Sequence, residues 1–219
     1  MKRLVLVALV TGCADQPVPI GAANGRHDGG GMVTANACMD AQFLSCSGVY
    51  GVFVAHGTEV EPMPYTGFLF PSNSATIAVG DPTQPFEISD GTGRAVMQLP
   101  EPFELAGTVP VVMHRGDSFT LSWDNNSTAP MRWDYDDSFE DSDGGSGGGG
   151  GGDGGPISGT SVTISADDLL DRFSGSPSAA SYQIGLRVER VRQALLAGTF
   201  HADSGSAVEQ RSVGFRLVP

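Results

Sequence analysis

Residues 181–189 read Ser-Tyr-Gln-Ile-Gly-Leu-Arg-Val-Glu, with apolar residues at every second position from Tyr182 to Val188. Alternation with period two predicts a β-strand that has one face on a hydrophobic core and one face in solvent. The same β-rich pattern recurs in other short segments of the chain: 53–54, 66–70, 75–79, 119–123, 162–164 and 213–217. The sequence therefore predicts a protein built mainly from β-strands.

Turn and helix signals complete the predicted fold. Asp90-Gly91-Thr92-Gly93 is typical of a hairpin turn, because Asp-Gly tolerates positive φ. The segment 165–173 combines a Ser N-cap, acids in the first turn and helically spaced apolar residues, which predicts one short helix. Many short strands with a single helix favour an all-β fold, an antiparallel β-sandwich of the immunoglobulin-like type.

A block of glycines and acids interrupts this pattern. Residues 144–155 hold ten glycines, and residues 134–153 hold seven acids and no base. Glycine-rich, charged sequence has too little apolar surface to form a core. We predict a disordered loop at about 136–156 that interrupts a single β-sandwich domain, 34–219. A linker between two domains is the alternative, although the 63 or so residues after the block are few for an independent core.

Composition excludes several classes of protein. The chain of 219 residues carries a formal charge of −13, and Lys2 is its only lysine. Nucleic-acid binding needs clustered Lys and Arg, so no nucleic-acid partner is expected. A chain without Lys beyond residue 2 also excludes Schiff-base chemistry and a P-loop.

The N-terminus predicts export and lipid attachment. Two basic residues, Lys2 and Arg3, precede a seven-residue apolar run at 4–10, which is typical of a signal peptide. Val10-Thr11-Gly12-Cys13 resembles the lipobox of bacterial lipoproteins. That resemblance implies that residues 1–12 are a signal peptide and that Cys13 carries the acyl chains, so that membrane lipid is a partner. An ordinary signal peptide with a chance cysteine is the alternative.

The resemblance also implies a location. Ala14, and not Asp, follows the cysteine, and in the sorting rule of these lipoproteins this implies the outer membrane, at the periplasmic face or the cell surface. Loss of Lys2 and Arg3 with the signal peptide would take the charge from −13 to −15. The Gly-, Pro- and Ala-rich stretch that follows predicts a flexible tether at 13–33.

Cys38 and Cys46 are the two other cysteines of the chain. In an exported protein, two such cysteines predict a disulfide. A zinc site is disfavoured because no histidine pair lies nearby.

The acidic block raises the question of calcium. Placing Gly144 at the sixth position of an EF-hand loop puts Phe139 first and Gly150 twelfth, where carboxylates are required. We therefore predict no defined metal site and only weak binding of divalent cations.

Two motifs suggest hydrolases or sugar binding. Gly116-Asp117-Ser118 begins like a GDSL-type hydrolase motif, but no matching Asp-x-x-His pair follows, and a β-turn is the simpler interpretation.

The four histidines (27, 56, 114 and 201) are scattered along the chain, and we predict that they lie at the surface. Trp133 and Tyr135 would suit sugar stacking only if exposed, and core positions are favoured for both, as for Trp123.

The sequence as a whole predicts a lipid-anchored envelope protein with a non-enzymatic structural or binding domain, no catalytic residues and no cofactor. Its layout resembles uncharacterised bacterial lipoproteins with a β-sandwich ectodomain, through stretches such as 115–123 and 210–215, and this transfers no activity. An envelope protein or a glycan is a possible partner. A carbohydrate-binding or hydrolytic module is the competing hypothesis.

Overall fold

The computed structural model describes residues 22–38, 51–66, 72–81, 84–90, 93–173, 179–198 and 205–219. These residues form sixteen strands and one helix: β1 (Ala22–His27), β2 (Met32–Cys38), β3 (Phe53–His56), β4 (Glu59–Pro62), β5 (Tyr65–Thr66), β6 (Ser72–Ala78), β7 (Phe86–Ser89), β8 (Arg94–Met97), β9 (Val112–His114), β10 (Ser118–Ser122), β11 (Met131–Asp141), β12 (Ser146–Ile157), β13 (Ser161–Ser165), α1 (Ala166–Arg172), β14 (Ala179–Gln193), β15 (Leu195–Ala197) and β16 (Gly205–Val218). The all-β class is confirmed.

Within the described residues the strands form three sheets. The large sheet has nine strands in the order β12-β11-β14-β16-β1-β2-β6-β5, with β9 pairing beside β16. A five-stranded sheet has the order β15-β8-β7-β3-β4, and β10 and β13 form a two-stranded sheet. Most pairs are antiparallel, as predicted, whereas β16 pairs in parallel with both β1 and β9.

The two longest strands give the large sheet its frame. β14 and β16 pair antiparallel in unbroken register from Tyr182 opposite Leu217 to Gln193 opposite Ser206. The predicted alternation at 182–188 is confirmed, because Tyr182, Ile184, Leu186 and Val188 are all buried.

The inner face of the large sheet carries two hydrophobic cores. The first core joins β1, β2 and β6 to the five-stranded sheet, through residues such as Val33, Ile77, Phe86 and Ile88. The second core joins β11, β14 and β16 to the two-stranded sheet and α1, through residues that include Leu186. Both cores therefore rest on β16, which contributes Ala207 to the first and Phe215 and Leu217 to the second.

The predicted helix and hairpin are confirmed. Helix α1 begins after Ser165, whose side chain accepts a hydrogen bond from the backbone N–H of Asp168. Strands β7 and β8 form the predicted hairpin, and the Gly93 N–H donates to Asp90 Oδ1 at 2.7 Å.

The predicted tether at 13–33 is too long. Residues 22–27 form β1 and residues 32–33 begin β2, so the sheet starts well before Thr34. Small residues allow this, because a Cβ at Gly25 would lie 2.1 Å from Phe86 Cζ. Side chains of the facing five-stranded sheet fill the space that larger residues in this stretch would occupy. The composition of the stretch alone does not show this.

The predicted disordered loop at 136–156 is wrong for the same kind of reason. β11 and β12 form a hairpin across the whole of this segment. The aromatic side chains of β11 lie over the glycines of β12: a Cβ at Gly147 would be 2.2 Å from Phe139, and one at Gly154 would be 2.0 Å from Trp133. Glycine is needed here because the rings occupy the space of a side chain.

Candidate functional site

A belt of charged side chains separates the two cores on the inner face of the large sheet. Strand alternation places five residues in this arginine belt: His27, Arg190, Arg192, Glu209 and Arg211. Charge buried between two apolar regions is costly unless every group finds a partner. The belt is therefore the part of the inner face where specific contacts matter most.

Arg190 is the most buried arginine of the belt, with 1% of its surface exposed. Its Nη1 donates to the carbonyl of Glu101 at 2.7 Å and to Asn126 Oδ1 at 2.7 Å. Its Nη2 donates to the carbonyl of Asp124 at 3.1 Å. Burial lowers the pKa of Arg190, and the charges of Asp124, Glu101 and Glu209 oppose that effect. One guanidinium thus holds two separate stretches of chain, at Glu101 and at 124–126.

Phe103 lies between two arginines of the belt. The guanidinium carbon of Arg190 is 5.0 Å from the ring centroid, and that of Arg211 is 5.4 Å away. Both distances fit cation–π contacts. The ring is 2% exposed, so the contacts are largely shielded from water.

Arg192 fixes the segment that leads to Phe103. It donates to the carbonyl of Leu99 at 3.2 Å and to the Glu101 carboxylate at 3.0 Å and 3.1 Å. The belt therefore holds the connection between the five-stranded and two-stranded sheets against β14.

Glu209 is the buried acid of the belt, with no exposed surface. It accepts from Arg211 Nη1 at 2.7 Å and contacts His27 Nδ1 at 2.6 Å. His27 Nε2 accepts from the Gly31 N–H at 3.2 Å, so the ring proton lies on Nδ1 and is donated to Glu209. The prediction that the histidines lie at the surface is wrong for His27, because the β1–β16 register that buries it leaves no mark on the local sequence.

A cleft of about 470 Å³ opens beside the belt. Pro102–Glu104 and Ala106 form one wall, and Ser122–Asp124 form the other. Glu104 lies 3.6 Å from Arg211, and Ser122 Oγ donates to the carbonyl of Ala106 at 3.4 Å. The lining contains two carboxylates, of Glu104 and Asp124, and two aromatic side chains, and its one hydroxyl donates to a backbone carbonyl.

Glu101 provides a test of the belt by pH. Hydrogen bonding from Ser127, with the charge and hydrogen bonds of Arg192, lowers the Glu101 pKa from 4.5 to about 2. A lowered carboxyl pKa stabilises the fold above the unfolded value, and this contribution is lost as pH falls from about 4.5 to about 2. We expect the free energy of unfolding to fall less steeply with decreasing pH in Glu101→Gln than in the wild-type chain, as measured by urea unfolding at several pH values. An equally steep fall in both chains would contradict this. The effect should be modest, since about half of the side chain is exposed.

The outer face of the large sheet carries a second set of ion pairs. Glu189, fully buried, lies between Arg132 at 2.7 Å and Arg26 at 3.2 Å. Arg187 hydrogen-bonds to Asp134 and lies 3.7 Å from Asp136. Burial lowers the pKa of Arg187, but the hydrogen bond and charge of Asp134 outweigh it and raise the pKa.

The acids of the hairpin β11–β12 alternate between the two faces of the sheet. Register places Asp134, Asp136 and Glu140 on the outer face, whereas Asp137 lies on the inner face opposite Ile184. Burial and the charge of Asp136 raise the pKa of Asp137, against a hydrogen bond from the Gly150 N–H. In the part of the chain that the structure describes, no group of three His, Cys, Asp or Glu residues could hold a metal ion.

The aromatic residues proposed for sugar stacking lie against other groups. Trp123 and Tyr135 are buried in the second core, as predicted. The Arg172 guanidinium lies 5.3 Å from the Trp133 ring centroid, and the ring also lies against Gly154. These rings do not form an open stacking platform.

The Gly116-Asp117-Ser118 motif forms the predicted turn. The Asp117 N–H donates to the carbonyl of His114 at 2.9 Å, Asp117 Oδ2 accepts from the His114 N–H at 2.8 Å, and Gly116 has a φ of +86°. Ser118 then begins β10.

Other sequence-predicted residues lie outside the described part of the chain. These are Cys13, Cys46 and His201, while for Cys38 the backbone alone is described, at the end of β2. The sequence did not predict the arginine belt, because Arg190 and Arg192 lie just beyond the predicted strand at 181–189, which the structure extends to Gln193.

No helix among the described residues is long and apolar enough to cross a membrane. A scan against protein-family models finds no match to this chain, and a search of curated proteins finds no match either.

Proposed function

We propose that this protein is a lipid-anchored lipoprotein of the bacterial outer membrane, with a non-enzymatic β domain that has a structural or binding role. The observation that carries the proposal is the N-terminal sequence, in which a basic start and a short apolar run lead to Val10-Thr11-Gly12-Cys13. A single acyl chain binds a membrane only marginally, whereas two or three on one cysteine anchor stably. Ala14 supports the outer membrane, at its periplasmic face or at the cell surface.

The position at which β1 begins supports a close attachment of the domain to the membrane. Strand β1 begins at Ala22, so only residues 14–21 separate Cys13 from the large sheet. A fully extended residue spans about 3.3–3.6 Å, which limits this tether to less than about 30 Å. The domain would therefore stay near the membrane surface.

The proposal also includes the immunoglobulin-like sandwich arrangement of the domain and a disulfide between Cys38 and Cys46.

The binding role is favoured over catalysis by the chemistry of the cleft. Ser122 faces a carbonyl, and the arginines beside the cleft are engaged with Phe103, Glu101 and Glu209. Groups committed to packing and to one another suit a rigid scaffold. The carbohydrate-binding alternative needs ring faces at Trp133 and Tyr135, which here contact Arg172, Gly154 and the second core.

The anchor is tested with the full chain expressed in a Gram-negative bacterium. We expect incorporation of radiolabelled palmitate and recovery in the outer-membrane fraction. Cys13→Ser should abolish the label, because the sulfur is the atom that accepts the diacylglyceride. Cys46→Ser is the matched control and should keep the label. Equal labelling of the Cys13→Ser chain would overturn the proposal.

A further inference from the structure

The glycine strand β12 forms one edge of the large sheet. Among the strands that the structure describes, β12 pairs with β11 alone, so its other side presents backbone N–H and C=O groups outward. Near its C-terminal end this side is partly closed: Arg172 Nη1 donates to the carbonyl of Asp153 at 3.2 Å, and Pro156 has no N–H. The remaining stretch, 146–152, is called the glycine edge below.

The glycine edge lacks the features that usually protect a sheet edge. Edge strands are commonly guarded by charged side chains, by proline, or by being very short. The edge reads Ser followed by six Gly, with no charge and no proline, and β12 is twelve residues long. The opposite edge, β5, has only two residues. Backbone pairing with an added strand is therefore open at β12, which is how extended peptides dock on sheets.

The acidic side chains beside the glycine edge indicate which kind of added strand would fit there. On the outer face, register places Asp136 opposite Gly151 and Glu140 opposite Ser146, and both acids are exposed. A strand added to β12 would lie about 10 Å from β11. Gly148 and Gly151 put no side chain in between, and Ser146 opposite Glu140 is small, so a long basic side chain on the added strand can cross β12 towards these carboxylates. The Asp136 carboxylate also lies 3.7 Å from Arg187, on the β14 side, whereas Glu140 lies nearer the hairpin end of the glycine edge. A Cβ at Gly148 would have no atom within 4 Å, so this path is open.

The same charges disfavour a second copy of this chain. Two β12 edges brought together would juxtapose two sets of acids, and the overall formal charge is already −13. Like charges facing one another across a sheet are destabilising.

We propose that the glycine edge binds an extended, lysine- or arginine-rich segment of a partner protein by β-strand addition, with Asp136 and Glu140 reading its basic side chains. This deepens the binding role proposed above by naming the partner's chemistry. It does not depend on lipidation at Cys13.

The experiment uses the full chain in detergent micelles and a labelled nine-residue peptide that alternates Lys and Val. We expect saturable binding by fluorescence anisotropy, with hydrogen-exchange protection at 146–152. The same peptide with every backbone amide N-methylated keeps its charge but cannot pair, and should bind at least tenfold more weakly. A peptide that alternates Glu and Val should not bind.

Matched variants separate the glycine edge from general attraction to an acidic protein. The double variant Asp136→Asn/Glu140→Gln should bind the peptide about five- to tenfold more weakly. Glu59→Gln/Glu61→Gln removes the same charge from exposed positions of β4 and should stay within twofold. Gly148→Arg places a basic side chain in the path and should weaken binding tenfold, whereas Gly148→Ala should not.

Several results would overturn the proposal: no binding, equal binding of the N-methylated peptide, equal losses in both double variants, or self-association of the purified chain through β12 in sedimentation. Palmitate labelling is independent of all of these. A chain that is labelled but fails to bind peptide would remove the partner assignment and leave the anchor, and the reverse result would do the opposite.

Discussion

Arg190→Met is expected to lower the free energy of unfolding by about 3–4 kcal/mol, because it leaves three acceptors without their donor. Each buried acceptor left unsatisfied costs about 1–3 kcal/mol. The carbonyls of Glu101 and Asp124 and the side chain of Asn126 belong to two different connecting segments, so one substitution loosens both. Methionine fills much of the volume, and the loss therefore reports hydrogen bonds more than a cavity.

Arg190→Lys distinguishes charge from geometry. An ammonium keeps the positive charge but has no planar fork, and it cannot reach three acceptors while stacking on Phe103. We expect a loss of about 2 kcal/mol, between the wild-type chain and the Met variant. A lysine variant as stable as wild type would show that charge alone is sufficient at this position.

Urea unfolding followed by circular dichroism measures both variants, and hydrogen exchange locates the effect. Protection should fall first in 99–105 and 124–126, which the belt holds. Arg216→Met is the matched control, since Arg216 is exposed on β16 and should change stability by less than about 0.5 kcal/mol. If the Arg190 and Arg216 variants lose equal stability, the belt does not hold the connecting segments.

The sequence predicts a strand well where bulky apolar residues alternate with polar ones, so that one face of the strand is apolar. Period-two alternation identified β10, β13, β14 and β16 because each places bulky apolar residues on one core. The Ser165 cap identified α1 because capping is local chemistry. Such features depend on residues a few positions apart, which a sequence displays directly.

The misses share one physical cause. β1 and β12 contain residues that are small because a ring from another strand fills their space: Phe86 over Gly25, and Trp133 over Gly154. The apolar side chains that cover β1 and β12 come from other strands, so the composition of β1 and β12 alone resembles that of a flexible loop. The arginine belt was missed similarly, since burial of Arg190 depends on segments 64 and 89 positions away in the chain.

Gly154→Ala is the sharpest test of this explanation of the glycine strand. The added Cβ would lie 2.0 Å from Trp133 Cδ2 and Cε2, so the ring must leave its place. The displaced ring loses its contact with Arg172 and its packing on the second core. We expect a loss of about 2–3 kcal/mol, in the range of overpacked cores, with a red shift of tryptophan emission. Gly148→Ala is the matched control and should be neutral or slightly stabilising, because no atom lies near its Cβ.

A double-mutant cycle with Trp133→Ala assigns the cost to the ring. If the indole causes the strain, Gly154→Ala should cost little in the Trp133→Ala background, and the two losses should be strongly non-additive. Simple additivity would mean that Gly154 is required for its backbone and not for the ring above it. Non-additivity would show that the glycine block is a strand shaped by its aromatic neighbour, and that the edge it exposes is a property of the folded sheet.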